Sequence, residues 1–140
     1  MSIVEPTDDQ IKAFMNGPQD APFVMVNLNT YRERAVYPAD YDGAQGPADC
    51  PGREAYYRYG AEAFQAIPAV GGEIIFSGET MVSNFAPQGQ GYDDVVLVRY
   101  PGFQNFFAMM DRPAYVAAFV HRLAGLEAAK VFPVLDQAQK

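Results

Sequence analysis

His121 is the only histidine in the sequence and the first residue to consider for chemistry. Imidazole is the side chain whose ordinary pKa lies near neutrality, so His121 could act as a general acid or base. Its predicted helix argues for a different role. Apolar residues from Val116 to Leu123 recur at helical spacing, which places His121 on roughly the opposite face and Arg122 at the edge of the apolar stripe. Arg122 is a candidate ligand-binding residue. We therefore predict a surface or interface histidine and keep proton transfer as the alternative.

Three polar residues interrupt apolar strand segments and form a second group of candidates: Asn27, Glu79 and Arg99. Asn27 and Arg99 could orient or polarise an anionic or carbonyl oxygen of a ligand, because amide and guanidinium groups donate hydrogen bonds. Glu79 could move a proton. The three side chains could equally be hydrogen-bonding residues of a subunit interface without a ligand, since buried polar groups need partners in either case.

Tyrosines form the third group. Tyr56, Tyr57 and Tyr59 lie in one predicted helix, and three further tyrosines lie in the loop before it. Tyrosine rings can bind flat or apolar ligands while their hydroxyl groups offer hydrogen bonds. Tyr56 and Tyr59 are three residues apart, share one helix face, and are candidates for the wall of a pocket. Packing within the core and the loop would also explain these residues.

The sequence offers little for a metal or an organic cofactor. One histidine and one cysteine, Cys50, leave mainly carboxylates as metal ligands, and a haem would have to use His121. The glycine pairs lack the strand-to-helix context of a dinucleotide loop, and no serine stands in a Gly-x-Ser-x-Gly turn. We therefore expect no metal, haem or other cofactor, and we interpret Cys50 as a small loop residue.

Composition excludes several classes of partner. The chain has 140 residues, of which 49% are hydrophobic, enough for one globular domain with a proper core. Its net charge of −7 repels phosphate backbones and anionic membranes, so neither nucleic acid nor a membrane is an expected partner. The first residues lack the pattern of a secretory leader, and a single cysteine suits a reducing compartment. A cytoplasmic location is the expectation.

Periodicity and turn signals predict the elements that would position these residues. Thr7 and Gln10 form a capping-box pattern before a short amphipathic helix that ends at Gly17. Residues 30–50 show no sustained period and predict a long irregular loop, a kind of segment that often serves as a lid or binding loop. Strands are predicted at 23–29, 73–82, 94–100 and 130–135, helices at 52–67, 103–110 and 114–124, and a turn at 87–91.

This order, one helix followed by βαββαβ, is the split βαβ pattern of a ferredoxin-like α+β fold with a four-stranded antiparallel sheet. We interpret residues 1–140 as a single domain, with 1–22 as an N-terminal helical extension and 23–135 as the core. Strand alternation predicts which residues lie beneath the helices: Val24, Val26, Leu28, Ile74, Phe76, Val82, Val96 and Val98.

The other predicted face of the sheet mixes apolar residues with Asn27, Glu79 and Arg99. It is too apolar to be left in water and too polar for a dry core. Two such faces can cover each other in a homodimer, with the polar members around a wet cavity. We therefore predict a homodimer.

Three segments together resemble a known family: DRPAYVAAFVHRLAGL at 111–126, GREAYYRYG at 52–60 and VGGEIIFSG at 70–78. They are similar to domain-of-unknown-function family 1330, a branch of the dimeric α/β-barrel, ferredoxin-like group. The resemblance implies a dimeric α/β barrel in which the helix carrying His121 borders the cleft. The N-terminal helix and the loop at 30–50 depart from typical members.

Barrels related to that family include cofactor-free monooxygenases, isomerases and decarboxylases as well as haem enzymes, so the resemblance implies no single reaction. Two functions follow as hypotheses. The protein binds a small organic molecule and transforms it without a cofactor, as an isomerase, lyase or monooxygenase-like enzyme. Alternatively, it is a non-catalytic ligand-binding or interaction module.

Overall fold

The computed structural model describes residues 5–18, 21–81 and 91–136. In chain order these ranges contain α1 (Asp8–Met15), β1 (Phe23–Tyr31), α2 (Gly52–Ala69), β2 (Glu73–Glu79), β3 (Asp94–Tyr100), α3 (Phe103–Met110), α4 (Pro113–Gly125) and β4 (Leu126–Leu135). The predicted turn at 87–91, apart from residue 91, and the predicted position of Val82 lie outside the described residues. None of the helices in the described part of the chain has the length and apolar character needed to cross a membrane.

The strands form one antiparallel sheet in the order β2-β3-β1-β4. This order, with helices on one side, is the ferredoxin-like α+β arrangement, so the predicted fold class is confirmed. The main difference lies at β4, which begins at Leu126 rather than at the predicted residue 130. Gly125 ends α4 and Leu126 begins β4, so no loop separates the two elements.

The predicted capping box of α1 is present. The Thr7 hydroxyl accepts a hydrogen bond from the Gln10 backbone N–H at 3.2 Å, and the Gln10 side chain accepts one from the Thr7 N–H at 2.8 Å. The helix is anchored by Phe14, whose ring meets the edge of Phe23 at 5.3 Å between centroids. Phe14 also contacts three phenylalanine rings of α3. These contacts place α1 at the end of the sheet beside α3.

Helices α2 and α4 approach each other through glycine. A Cβ atom on Gly52 would lie within 3.0 Å of the backbone carbonyl oxygens of Arg32 and Gly125, and a Cβ on Gly125 would meet the backbone of Gly52 and Tyr56 equally closely. Two of the three motif segments, GREAYYRYG at 52–60 and DRPAYVAAFVHRLAGL at 111–126, therefore contain the glycines of one helix crossing. Only hydrogen side chains allow the backbones to approach this far.

The predicted buried stripe of α4 is wrong. Val116 is 59% exposed and Leu123 is also exposed. The buried residues of this helix are Tyr115, Ala118, His121, Arg122, Ala124 and Gly125. The error has a physical cause: the face that packs on α2 uses small residues so that the helices can approach closely, whereas the prediction followed the largest apolar side chains.

The predicted faces of the sheet are correct for β3 and reversed for β1. The helices cover Phe23 and Met25, which pair with Tyr100 and Val98 across the sheet. The opposite side of the sheet, which no described element covers, carries the following residues of the three strands β1, β2 and β3: Val24, Val26, Leu28, Glu73, Phe76, Gly78, Val95, Leu97 and Arg99. We call this side the open face. Both sets of side chains in β1 are largely apolar, so alternation alone could not decide which one is buried.

An irregularity in β2 explains the misplacement of Phe76. Ile74 pairs with Val98 on the helix side, but Phe76 pairs with Leu97 on the open face, because the register shifts between Ile74 and Phe76. Ile75 is the extra residue of this bulge. A bulge inserts one residue and reverses the face of the residues after it, which a strict two-residue alternation cannot anticipate.

The segment 32–51 is irregular, as predicted, and closes over the end of α4. The N–H of Arg32 bonds to the carbonyl of Gly125 at 2.8 Å, and the N–H of Val36 to that of Ala124 at 2.9 Å. Cys50 is a buried free thiol packed with Ala55 and Ala124 beneath this segment. The loop is therefore fixed to the helix layer by backbone hydrogen bonds.

Candidate functional site

A cavity of about 1060 Å³ lies between the sheet and the helices. Its walls are mainly apolar and aromatic. The sheet contributes Met25, Val96 and Val98, while α2 and α4 contribute tyrosine and phenylalanine rings, and Phe14 of α1 closes one end. The cavity thus lies on the helix side of the sheet. The predicted mixed face of the sheet is wrong, because the polar strand residues Asn27 and Glu79 face the helices whereas Arg99 lies on the open face.

Four polar side chains form a group with Asp94 at the rim of this cavity. The buried carboxylate of Asp94 accepts hydrogen bonds from the hydroxyl of Tyr31 at 2.6 Å, from Arg53 at 2.7 Å and from the hydroxyl of Tyr57 at 3.1 Å. Arg53 also forms an ion pair with Glu79 at 3.8 Å. We call these five residues the Asp94 cluster. Its carboxylate is stabilised by three donors, one of them cationic, which keeps a buried charge satisfied.

Proton positions in the Asp94 cluster follow from burial. Burial raises the pKa of Tyr31 well above its ordinary value, and the hydrogen bond to Asp94 raises it further. Tyr31 therefore stays protonated and donates to the carboxylate. By contrast, the side chain of Glu79 is largely exposed and lines the cavity. Because its carboxylate is exposed, Glu79 is the member of the cluster that can exchange a proton with a bound molecule.

A second polar group lies among the helices. The hydroxyl groups of Tyr59 and Tyr115, both lining the cavity, are 2.7 Å apart. Burial raises the pKa of Tyr115 to about 12. Arg122 also lines the cavity, is only 8% exposed, and places its guanidinium carbon 5.4 Å from the ring centroid of Phe119. A cation and two hydroxyl groups therefore lie in a mostly aromatic part of the wall.

The structure brings most of the predicted site residues together. Asn27, Tyr56, Tyr59, Glu79 and Arg122 all line the cavity. The amide of Asn27 donates to the carbonyl oxygens of its strand neighbours Met25 and Val96, both at 3.2 Å.

Arg99 is not part of this group. It lies on the open face, opposite Val24 across the sheet, and its Nε donates to Asp136 at 2.7 Å. The prediction that Arg99 and Asn27 share a face is wrong, because the antiparallel register places them on opposite sides of the sheet. Sequence reasoning also missed Arg53 and Asp94. The sequence signal for both residues was the pair of acidic residues, including Asp94, at the start of the apolar strand β3. A carboxylate buried in such a strand needs a cation nearby.

His121 is buried, with 2% of its surface exposed, so the prediction of a surface histidine is wrong. Its Nδ1 lies 2.6 Å from the hydroxyl of Tyr37, which also accepts a hydrogen bond from Arg58 at 3.1 Å. Tyr37 and Nδ1 therefore share one hydrogen bond, which either atom can donate according to the tautomer of the ring. His121 is not among the described residues that line the cavity. It fastens the irregular segment 32–51 to α4.

The His121 contact predicts a loss of stability in mild acid. Burial lowers the pKa of His121, and the charge of Arg58 lowers it further, while Asp42 opposes the shift. The unfolded chain, with an ordinary histidine pKa of about 6.5, then binds a proton more readily than the folded protein. The His121 contribution to stability is complete above pH 6.5 and decreases as the pH falls from there toward the lowered pKa.

Denaturant unfolding from pH 7.5 to pH 5.5 would measure this effect. We expect the free energy of unfolding to decline less steeply with falling pH in His121→Gln than in the unaltered protein. Parallel curves for the two proteins over that range would contradict the assignment of His121 as a buried neutral base.

In the described part of the chain, no group of three or more His, Cys, Asp or Glu side chains is arranged to hold a metal ion. The polar groups of the cavity are instead hydroxyls, two amides, one guanidinium group, one ammonium group and carboxylates. They can bind and orient an organic molecule and exchange protons with it.

Comparison with known proteins gives a fold and no activity. No protein-family model matches the chain, and no curated protein matches it either. Two crystal structures of RPA0582, a protein of unknown function from Rhodopseudomonas palustris, are similar over nearly the whole length. The methylated form has a TM-score of 0.82 and 27% identity, with 95% of this chain and 93% of that chain covered. The other has a TM-score of 0.81 and 26% identity, with 97% and 98% covered.

A hydroxynitrile lyase from Passiflora edulis is similar only at a TM-score of 0.49 and 11% identity, with 84% of this chain and 95% of that chain covered. That likeness is too distant to bear on function. The chain therefore shares its ferredoxin-like architecture with an uncharacterised bacterial protein, and its function has to be inferred from the cavity itself.

Proposed function

We propose that this protein binds a small, largely apolar organic molecule in the cavity between its sheet and its helices. The observation that carries the proposal is the cavity, whose volume of about 1060 Å³ is at the upper end of the range for small-molecule sites. The cavity is partly open to solvent, so a molecule can enter it, and burial of an apolar surface against its walls favours binding. Apolar walls with a few convergent polar groups are typical of a ligand site.

A reaction on the bound molecule is the second candidate function. Glu79 favours it, because an exposed carboxylate at the cavity rim can accept or return a proton. Such a reaction would be a cofactor-free proton transfer of the isomerase or lyase kind, or, with O2 as second substrate, a proton abstraction that begins a monooxygenase-like oxidation. The position of His121 outside the cavity removes the other candidate base, so Glu79→Gln should abolish any turnover while leaving ligand affinity within a few-fold.

Filling the cavity tests the binding proposal. Val96 lies on the sheet side of the cavity, between Asn27 of β1 and Ser77 of β2. We expect Val96→Phe to weaken binding of any small molecule found in a metabolite panel by at least about tenfold, because the larger ring occupies ligand space. Val96→Leu, which changes the side-chain volume little, is the matched control. Titration calorimetry would measure both, and undiminished affinity in a folded Val96→Phe protein would contradict the proposal.

We also propose that the protein is a homodimer, formed through the open face of its sheet. Phe76 is 55% exposed there and Phe132 of β4 is 42% exposed. They extend an apolar surface that includes Val26 and Leu97 at its centre. A surface of this kind is rarely left in water, and a second copy presents the same surface for sheet-on-sheet packing. The ion pair of Arg99 with Asp136 supplies a polar rim.

The assignment to domain-of-unknown-function family 1330 belongs to this proposal. It is supported by the three sequence segments and by the ferredoxin-like topology. A cytoplasmic location is proposed as well, and the buried free thiol of Cys50 agrees with a reducing compartment.

A further inference from the structure

Polar and apolar side chains are separated along the strands that line the cavity. At one end of the sheet, Glu79 of β2 pairs with Asp94 of β3. Four residues further along β3, Val98 pairs with Met25 of β1, and Tyr100 lies two residues beyond that pair. All five residues line the cavity. Since an antiparallel strand rises about 3.4 Å per residue, the polar end and the aromatic end are about 20 Å apart.

The polar end of the cavity opens to water. The side chain of Glu79 is 71% exposed there, and Tyr57, which also lines the cavity, is 50% exposed. Among the described residues, the carboxylate of Glu79 has one partner, Arg53 at 3.8 Å, which is beyond hydrogen-bond distance. A polar group of a ligand can therefore keep part of its hydration at this end and donate a hydrogen bond to Glu79. We call this end the mouth.

The other end is apolar and is closed by Phe14 of α1. The Phe14 ring lies 5.9 Å from Phe106 and 5.3 Å from Phe23 between centroids, and Phe23 stacks on Tyr100 at 5.5 Å. Tyr100 is 2% exposed, and its hydroxyl donates to the sulfur of Met109 at 3.4 Å, so that hydroxyl is already engaged. An apolar group is favourably buried at this end, whereas a second polar group would lose its water there without a hydrogen-bond partner.

Charge does not select the ligand. The residues that line the cavity include two carboxylates, Glu79 and Asp94, and two cations, Arg122 and Lys130. Asp94 is engaged by three donors, and the ammonium of Lys130 lies 5.9 Å from the ring centroid of Tyr92. The separation of polar from apolar residues is therefore the stronger constraint on what binds, and it favours an uncharged molecule that is polar at one end.

Building on the proposed binding function, we propose that the ligand is an uncharged amphiphile, such as a long-chain alcohol, that lies along β3 with its hydroxyl at the mouth and its apolar tail against Phe14. The hydroxyl donates to Glu79, and each methylene group of the tail that reaches the apolar walls improves the affinity about fourfold. Phe14 then determines the greatest tail length that the cavity accepts. It is a specificity-determining residue carried by the N-terminal helix.

A series of primary alkanols from hexanol to dodecanol tests the length limit in the full chain. Tyrosine fluorescence reports binding, because tyrosines line the cavity and the chain has no tryptophan. We expect the affinity to rise about fourfold with each added carbon and to stop rising at a limiting length. In Phe14→Ala this limit should move to longer alkanols by about three carbons, because the truncated side chain leaves space for the tail.

Met15→Ala is the matched control on the same helix. Met15 is 45% exposed and is not among the described residues that line the cavity, so this substitution should leave the limit unchanged. Phe14→Leu is a smaller change at the end of the cavity. If Phe14→Ala does not fold, Phe14→Leu should still move the limit to longer alkanols, by about one carbon.

Glu79→Leu tests the position of the polar end. Decanol can donate a hydrogen bond to Glu79, whereas decyl methyl ether cannot. We expect the ratio of the decanol affinity to the ether affinity to fall about fivefold in this variant. Glu73→Leu is the matched control, because Glu73 lies in the same strand but on the open face, and it should leave the ratio unchanged.

The outcomes separate this inference from the proposed function. A limit at the same length in folded Phe14→Ala and Phe14→Leu, no limit in the unaltered protein, or an unchanged ratio in Glu79→Leu would overturn the inference and leave the cavity as a ligand site. The same holds if no alkanol binds while a molecule of the metabolite panel binds and is lost in Val96→Phe. If neither the alkanols nor the panel bind, the inference and the proposed function both fail.

Discussion

Leu97→Asp should convert the protein from a dimer to a monomer. Leu97 lies at the centre of the open face, with Val26 opposite it on β1 and Phe76 on β2. In a dimer packed through this face, the two new carboxylates would be buried without partners, at a combined cost of about 4 kcal/mol. That corresponds to a dimer dissociation constant about a thousandfold higher. Analytical ultracentrifugation at micromolar concentration would measure the change.

Val116→Asp is the control for this substitution. Val116 is also an exposed apolar residue, but it lies on the outer surface of α4 rather than on the sheet. We expect this variant to remain dimeric, while Leu97→Asp keeps its helical circular-dichroism signal as a folded monomer. A Leu97→Asp protein that still sediments as a dimer would show that the open face is not the interface.

The second large effect is expected at the crossing of α2 and α4. In Gly52→Ala the added methyl group meets the backbone carbonyls of Arg32 and Gly125, which cannot move aside as a side chain would. Overpacking of this kind costs about 3 kcal/mol. For a chain of this size we expect the melting temperature to fall by about 10 °C.

Gly60→Ala provides the matched control within the same helix. A Cβ on Gly60 has nothing within 4 Å, so the substitution adds helix propensity without a clash. It should raise the stability by about 0.5 to 1 kcal/mol. Opposite signs for two glycine-to-alanine changes in α2 would confirm that close helix approach, rather than glycine content, is what Gly52 provides. A Gly52→Ala protein as stable as the unaltered chain would contradict it.

The fold could be predicted from the sequence because its signals are local. The Thr7 capping box, the glycine and proline stops, and the irregular composition of residues 32–51 each depend on a few neighbouring residues. The faces of the elements depend on distant partners, and there the prediction was less accurate. In β1 both faces are apolar, in β2 a bulge at Ile75 reverses the alternation, and in α4 small residues form the contact.

The sequence predicted which residues belong to the candidate site better than it predicted how they are arranged. Asn27, Tyr56, Tyr59, Glu79 and Arg122 line one cavity, but nothing in the sequence says that the cavity lies beneath the helices. Arg99 and His121 carry the right chemistry for a site and are engaged elsewhere.

The strand order has a consequence for folding kinetics. β1 is a central strand, yet its neighbours are β3 and β4, so Phe23 pairs with Tyr100 on one side and with Leu135 on the other. Among the strands of the described residues, only β2 and β3 are both adjacent in the sheet and consecutive in the chain. Closing such long segments costs entropy before any pairing offsets it. Refolding in stopped-flow experiments should therefore be slower than for a helical bundle of equal length, with the β2-β3 hairpin forming before β1 is enclosed.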